Sequence, residues 1–358
     1  MSAAEKLEGC TLQGGWKVIK RLERDPNGTG GHFSQSYLAE RVERNATGQE
    51  IRTEGFLKAF DFQRAFEGGG DTVKILQFLT NSYEYERAIL EHCRGRRLSN
   101  VVVAIDHGEY QVEGMSAMEG RVFYLIFEMA AGDVRVQMDM SKARDALWCL
   151  KALKDINLGL WQVHREMIAH QDAKPSNVLT YAGPSFKIAD FGRASRKGVP
   201  APHDHLQVAG DMTYSPPEQL YGYSDPDFGA RRIGCDMYML GNLACFLFSG
   251  VNVTATLLSH LAPQHHPQHW GGSYVEVLPY VRTAFAQVLA DLQPLIDPLV
   301  RDYITGLVTE LCDPDLKLRG HPRGIGHHDQ YSLQRYDSGL DQAVRKLQIR
   351  IRAGGRAA

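Results

Sequence analysis

The run AHQDAKPSNVL, residues 169–179, places Asp172, Lys174 and Asn177 close together. A second carboxylate, Asp190, follows in FKIADFG. Two carboxylates and an amide are hard oxygen donors, the kind that Mg2+ takes together with phosphate oxygens. Lys174 stands two residues beyond Asp172 and so shares its face of an extended loop. Its ammonium is placed to neutralise charge developing on a phosphate.

Two further stretches suit the same chemistry. Lys58 sits in GFLKAF with apolar residues on both sides. A lysine inside a buried strand needs an anionic partner, and Glu86 in YEYERAIL lies on the segment that follows. An ion pair between them would hold Lys58 ready for an anion; the alternative is an exposed edge lysine. In NGTGGHFSQSYLAE, Gly28, Gly30 and Gly31 lie between two strand-like runs. With no Cβ in the way, backbone N–H groups there can approach a phosphate closely. A plain glycine-rich hairpin has the same pattern.

The elements that must position these residues show in the periodicity. WKVIKRL (16–22), SYLAERVER (36–44) and IRTEGFLKAF (51–60) alternate apolar and polar residues, with NATGQ (45–49) as a turn, which predicts an antiparallel meander. Residues 72–93 carry apolar side chains at helical spacing. VVVAIDHGEY and RVFYLIFEM predict two more strands. After Gly132 the pattern is mostly helical, beginning at residues 146–164. The order of five strands with one helix, then a larger helical body, predicts an α+β plan of two lobes joined near residues 128–133.

The chain has 358 residues, 43% of them hydrophobic and 23% charged, with a formal net charge of −2. That balance suits a core-forming globular chain and argues against nucleic acid or an anionic membrane as the main partner. The six cysteines are scattered singly, without zinc or disulfide spacing. Residues 1–9 are polar and charged and do not read as a signal peptide. The longest apolar stretch, around residues 237–248, is too short for a membrane span. Buried free thiols in a reducing cytoplasm are the expectation.

Taken in order, the motifs resemble those of the eukaryotic-type (Hanks-type) protein kinases, in the style of bacterial serine/threonine kinases, from about residue 16 to residue 322. The glycine-rich loop comes first. FLK stands where the family has its VAIK lysine, and Glu86 matches the helix-C glutamate. HQDAKPSN matches HRDxKxxN, and DFG is intact. YSPPE, with Glu218, matches the APE element. DMYMLG supplies Asp236, and DPDLKLRGHP supplies Arg319, the usual partner of that glutamate. The resemblance implies a two-lobed fold, with a small antiparallel β-sheet lobe carrying one helix and a larger, mainly α-helical lobe. It implies an ATP-binding lobe over residues 1–130, a catalytic and substrate lobe over 131–325, and a helical extension over 326–358.

It also implies roles. Gly28, Gly30, Gly31 and Lys58, paired to Glu86, would hold the phosphates of ATP. The backbone at Glu128 and Ala130 would meet adenine, with Phe127 behind it, and Asp133 would reach the ribose. Asn177 and Asp190 would hold Mg2+. Asp172 would accept the substrate proton, and Lys174 would stabilise the transferring phosphoryl group. Lys174 favours Ser/Thr acceptors in protein substrates, because tyrosine-specific members usually lack it.

Four departures stand out. Gln171 replaces the Arg that often pairs with an activation-loop phosphate, and an amide cannot reproduce that bidentate charge pairing. Before Gly210 the activation segment holds one hydroxyl, Ser195. A kinase not switched by loop phosphorylation is therefore expected, with the loop held by packing and neutral contacts. Asp211 replaces a Thr, in reach of Lys174 but adding negative charge near Asp172. Ser34 stands at the third loop glycine. These changes keep a nucleotide-binding pseudokinase scaffold in view. A small-molecule kinase fits less well, since the Glu218 and Arg319 elements build a peptide ledge. The His-rich run 260–270 reads as a solvated loop rather than a metal site. In residues 338–355, Leu340, Val344, Leu347 and Ile351 share one helical face and four basic residues crowd the rest. The choice there is packing on the large lobe or a basic docking surface for a partner.

Overall fold

A computed structural model describes residues 2–23, 34–62, 71–117, 119–138, 145–183 and 185–354. The chain divides into two compact units: Met1–Arg97 with Val101–Ala131, and Leu98–Asn100 with Gly132–Ala358.

The first unit is built on β1 (Trp16–Arg21), β2 (Ser34–Arg44) and β3 (Glu50–Phe60). Helix α1 (Thr72–Gly95), β4 (Ala104–Gln111) and β5 (Arg121–Glu128) complete it. The strands form one antiparallel sheet in the order β1-β2-β3-β5-β4. The β2–β3 hairpin closes on Asn45, whose Oδ1 accepts the backbone N–H groups of Thr47 and Gln49, with Gly48 at φ +80°. That is local turn chemistry set by the residue types. Alternation then turns Tyr37, Ala39, Leu57 and Ala59 inward with Trp16, Tyr124 and Ile126. Residues before β1 join this core through Ala3, Ala4, Leu7 and Leu12, and the Tyr37 hydroxyl donates to the Ala4 carbonyl at 2.6 Å. Asp71 starts α1 by accepting the N–H groups of Val73 and Lys74. Strand β4 begins three residues later than the VVVA run suggests. Val103 instead brackets Glu128, its N–H donating to the Glu128 carboxylate and its carbonyl accepting the Glu128 N–H.

The second unit opens with β6 (Gly132–Asp133), the single-turn α2 (Val134–Gln137) and the long α3 (Ala146–Arg165). Short strands follow: β7 (Ile168–Ala169), β8 (Val178–Tyr181), β9 (Ser185–Ile188) and β10 (Ser195–Arg196). They make two small sheets, β6-β8-β9 and β10-β7. The remaining helices are α4 (Pro217–Leu220), α5 (Gly234–Ser249), α6 (Val253–Ser259), α7 (Tyr274–Leu292), α8 (Arg301–Leu311) and α9 (Gln334–Gly354). A wide helical turn, Gly229–Ile233, leads into α5. Nearly every residue of α5 is buried. Such a helix is the core of its unit, and among the described residues no single helix is long and apolar enough to cross a membrane. None of the six cysteines forms a disulfide, and all but Cys10 are buried.

Helix α9 starts four residues before the expected stretch. It lies on α3, with Leu340, Val344 and Leu347 buried and Lys154 bound to Asp341 at 2.6 Å. Ile351 lies on the same stripe but is 52% exposed.

Candidate active site

The loop carrying Asp172, Lys174 and Asn177 is held from below. Asp236, on α5, is fully buried and accepts the backbone N–H of His170 and of Gln171, each at 2.6 Å, and meets His164 Nε2 at 2.8 Å. This clamp fixes Gln171 at φ +62°, a left-handed conformation that a non-glycine residue adopts only when its surroundings enforce it. His170 Nε2 lies 2.9 Å from the Ala189 carbonyl, and its ring stands edge-on to Phe191 at 4.8 Å. The loop and the DFG segment are thereby tied together.

Asp172 is fixed on both oxygens. Its Oδ1 accepts the Asp211 N–H at 2.8 Å, and its Oδ2 accepts Asn177 Nδ2 at 3.0 Å. The same Nδ2 donates to the Asp172 carbonyl at 2.8 Å. Both donor bonds of that amide face Asp172, so its oxygen is the end left for another ligand. Lys174 Nζ lies 3.3 Å from Asp172 Oδ2 and 3.4 Å from Asp211 Oδ2. Burial pushes the Asp172 carboxyl above its ordinary range against the pull of Lys174, and Asp190 adds to the rise. Burial acts the same way on Asp211, but its bonds from the Thr213 hydroxyl and N–H, with Lys174, outweigh it and hold that carboxyl below its ordinary value. Asp190 sits at φ +64°, immediately before buried Phe191. Gly210 allows the close approach: a Cβ there would lie 2.2 Å from the Gln171 carbonyl oxygen and 2.8 Å from Asp172 Oδ1.

In the first unit, Lys58 Nζ meets both oxygens of Glu86, at 2.9 and 3.1 Å, with the Glu86 side chain only 3% exposed. Strand β3 and helix α1 supply the two halves of this pair. Glu128 has its N–H bonded to Val103, and Asp133 uses Oδ1 to cap Val136 N–H at the start of α2. Gly28, Gly30 and Gly31 lie outside the described residues. Among the described residues no group of three or more His, Cys, Asp or Glu forms a metal cage, the His-rich run included. Asn177 and Asp190 fit a hard cation only as part of a set that a nucleotide's phosphate oxygens complete.

Three residues of the site region were not singled out from the sequence: His164, Arg232 and Asp204. Arg232 donates from NH1 to Gln171 Oε1 and from NH2 to Asp204 Oδ1 at 3.0 Å. Gln171 Nε2 donates to the Arg193 carbonyl at 2.9 Å and to Ser195 Oγ at 2.8 Å. The expectation of a loop held by neutral contacts is thus corrected, because an ion pair takes part. Beyond the loop, Arg319 grips Glu218 with two bonds of 2.7 and 2.8 Å.

The fold and these motifs are those of the protein kinase family, and comparison agrees. A family model described as protein kinase domain matches residues 74–277, more than half of the chain. The chain belongs to that family. The match includes Glu86, Asp172, Lys174, Asn177 and Asp190, while Lys58 lies outside it. Among curated relatives, the chain is 30% identical to cell division control protein 2 homolog 3 of Trypanosoma brucei brucei, over 49% of this chain and 58% of that one. It is 30% identical to cyclin-dependent kinase 17 of Caenorhabditis elegans, over 41% of this chain and 23% of that one. Cyclin-dependent kinase 9-A of Xenopus laevis is 26% identical, over 55% and 51%. The matches span less than two thirds of the length of each of these relatives.

Proposed function

We propose that this chain is a serine/threonine protein kinase that uses ATP and Mg2+. The observation that carries the reading is the fixed carboxylate of Asp172, held by Asn177 and the Asp211 N–H beside the Lys174 ammonium. A carboxylate with the higher proton affinity that burial gives it can orient an acceptor hydroxyl and take its proton. Lys174 faces the same point and offsets phosphoryl charge. Lys58, steadied by Glu86, holds the nucleotide's phosphates. The loop glycines Gly28, Gly30 and Gly31 cover those phosphates, the backbone at Glu128 and Ala130 meets the base, and Asp133 meets the ribose. Asn177 and Asp190 offer their oxygens to Mg2+, which supplies charge neutralisation when bound. The transition state of such a transfer is loose, so this positioning does most of the catalytic work. The presence of Lys174 favours Ser/Thr acceptors. A cytoplasmic location fits the scattered cysteines, none of them in a disulfide.

We further infer that loop phosphorylation is not the switch. Gln171 is already saturated by contacts within the chain, and Ser195, the one hydroxyl of the segment before Gly210, is buried between Gln171 and Asp204. The test uses purified protein with labelled ATP, Mg2+ and a generic protein substrate, beside Asp190→Ala. Label transfer that disappears in the variant is the expected result. Nucleotide binding without transfer would make the chain a pseudokinase scaffold instead.

A further inference from the structure

We propose that Asp204 is a positioning residue for phosphoryl transfer, supplying from the chain itself the negative charge that a loop phosphate supplies in kinases with Arg beside the catalytic Asp. The proposal rests on the kinase reading above and adds a residue to it. Four side chains close a ring. Asp204 Oδ1 accepts Arg232 NH2 at 3.0 Å and the Ser195 hydroxyl at 3.1 Å. Ser195 Oγ accepts Gln171 Nε2 at 2.8 Å, and Gln171 Oε1 accepts Arg232 NH1. The second oxygen of Asp204 accepts the Ala201 N–H at 2.8 Å. The ring joins three segments: the residue next to Asp172, the activation segment over residues 193–204, and the turn before α5.

Within this ring Gln171 is the complement of Arg232. Arg232 is a cation with a side chain only 4% exposed, and a buried guanidinium demands an acid within reach. An arginine at position 171 would set a second cation against it. Glutamine offers an acceptor to Arg232 and a donor to Ser195 and the Arg193 carbonyl, so one neutral side chain satisfies both neighbours. Asp204 then carries the balancing charge, at a point 41% exposed to solvent. A phosphate on Ser195 would add roughly two negative charges against Asp204 and break the ring. The site of the usual switch is therefore occupied by its own fixed charge. Because Gln171 N–H and Asp172 share the loop that Asp236 clamps, loosening Gln171 loosens the catalytic carboxylate.

The partly exposed Asp204 allows the ring to be cut without emptying a core. In the full chain, Asp204→Asn keeps the shape and removes the charge, and Asp204→Glu restores it. The expected result is a fall in kcat/KM of about tenfold for Asp204→Asn, carried by kcat with KM for ATP unchanged, and substantial recovery in Asp204→Glu. In the same Asn variant, amide hydrogen exchange over residues 195–204 should quicken more than exchange elsewhere in the second unit. Wild-type kcat and wild-type exchange in Asp204→Asn would overturn the proposal. So would intact-mass analysis showing that active protein requires phosphate on Ser195. Should the wild type transfer no phosphate at all, the kinase reading fails, and the exchange arm still decides whether Asp204 fixes the segment.

Discussion

Replacing Arg319 with methionine should destabilise the second unit far more than cutting a surface pair. Arg319 is completely buried and makes four bonds: two to Glu218, one to the Gly234 carbonyl at 3.1 Å and one to the Asp313 carbonyl at 3.0 Å. Its guanidinium also lies 5.1 Å from the Tyr238 ring centre. Methionine fills the volume but leaves the Glu218 carboxylate, 5% exposed, without its counter-charge. Breaking a buried pair in this way costs about 3–5 kcal/mol. In a unit of this size each kcal/mol moves the melting temperature by roughly 2–4 °C, so the drop should be about 6–20 °C. The control is Glu50→Gln in the Arg44–Glu50 pair, which spans 3.5 Å with side chains 75% and 49% exposed. An exposed pair of that kind contributes at most about 1 kcal/mol. Thermal shift assays in low and high salt separate the two, because salt screens the exposed pair and leaves the buried one intact. The double variant Glu218→Gln/Arg319→Met should cost less than the two single costs added, since neither charge is then stranded. Equal losses for Arg319→Met and Glu50→Gln, or additive single costs, would refute the reasoning.

Two further outcomes follow from the same geometry. Burial, and after it the Arg193 guanidinium, hold the His203 imidazole down at about 4 from an ordinary 6.5. The unfolded chain therefore binds the extra proton first, and stability should fall as pH drops from 6.5 toward 4, by on the order of 3 kcal/mol from this group. His203→Gln should flatten that part of a plot of urea midpoint against pH; an unchanged slope would assign the acid sensitivity elsewhere. Gly210→Ala would force a Cβ to 2.8 Å from Asp172 Oδ1 and closer still to the Gln171 carbonyl. Displacing the catalytic carboxylate should lower kcat on the order of 100-fold with nucleotide affinity kept, read by steady-state kinetics beside a binding titration. Wild-type kcat in that variant would mean that the contact is relieved without moving Asp172.

The parts of the fold that are legible in the sequence are those set by neighbours along the chain. The β2–β3 hairpin announces itself through alternation and the Asn45–Gly48 turn, and α1 and α3 through apolar spacing. The catalytic loop is legible because Asp172, Lys174 and Asn177 must lie close in sequence to act at one point. Arg232 is different. It reaches Gln171 across 61 positions and Asp204 across 28, and nothing in the local pattern at residue 232 distinguishes it from a solvated arginine. Ile351 fails for the opposite reason: its spacing fits the face of α9 that holds Leu340 and Leu347, yet it is 52% exposed. Periodicity states which side chains share a stripe and cannot state how long the partner surface runs.

The departures from the kinase pattern bear on whether the site is intact or decaying. A decaying site loses partners one at a time and strands buried polar groups, each at a cost of about 1–3 kcal/mol. At Gln171 and Asp211 the partners are present. Gln171 has both ends bonded, to Arg232 on one side and to Ser195 and Arg193 on the other. Asp211 brings an extra negative charge toward Asp172, and that charge is met by Lys174 and by two bonds from Thr213. Its backbone N–H also holds the catalytic carboxylate. Each substitution is thus matched by a partner elsewhere in the same unit: Arg232 and Asp204 for the first, Thr213 for the second. Matched substitutions of this kind keep the placement of Asp172, Lys174 and Asn177 while changing what holds it. Such matching favours the catalytic reading proposed above over a scaffold that has shed catalysis.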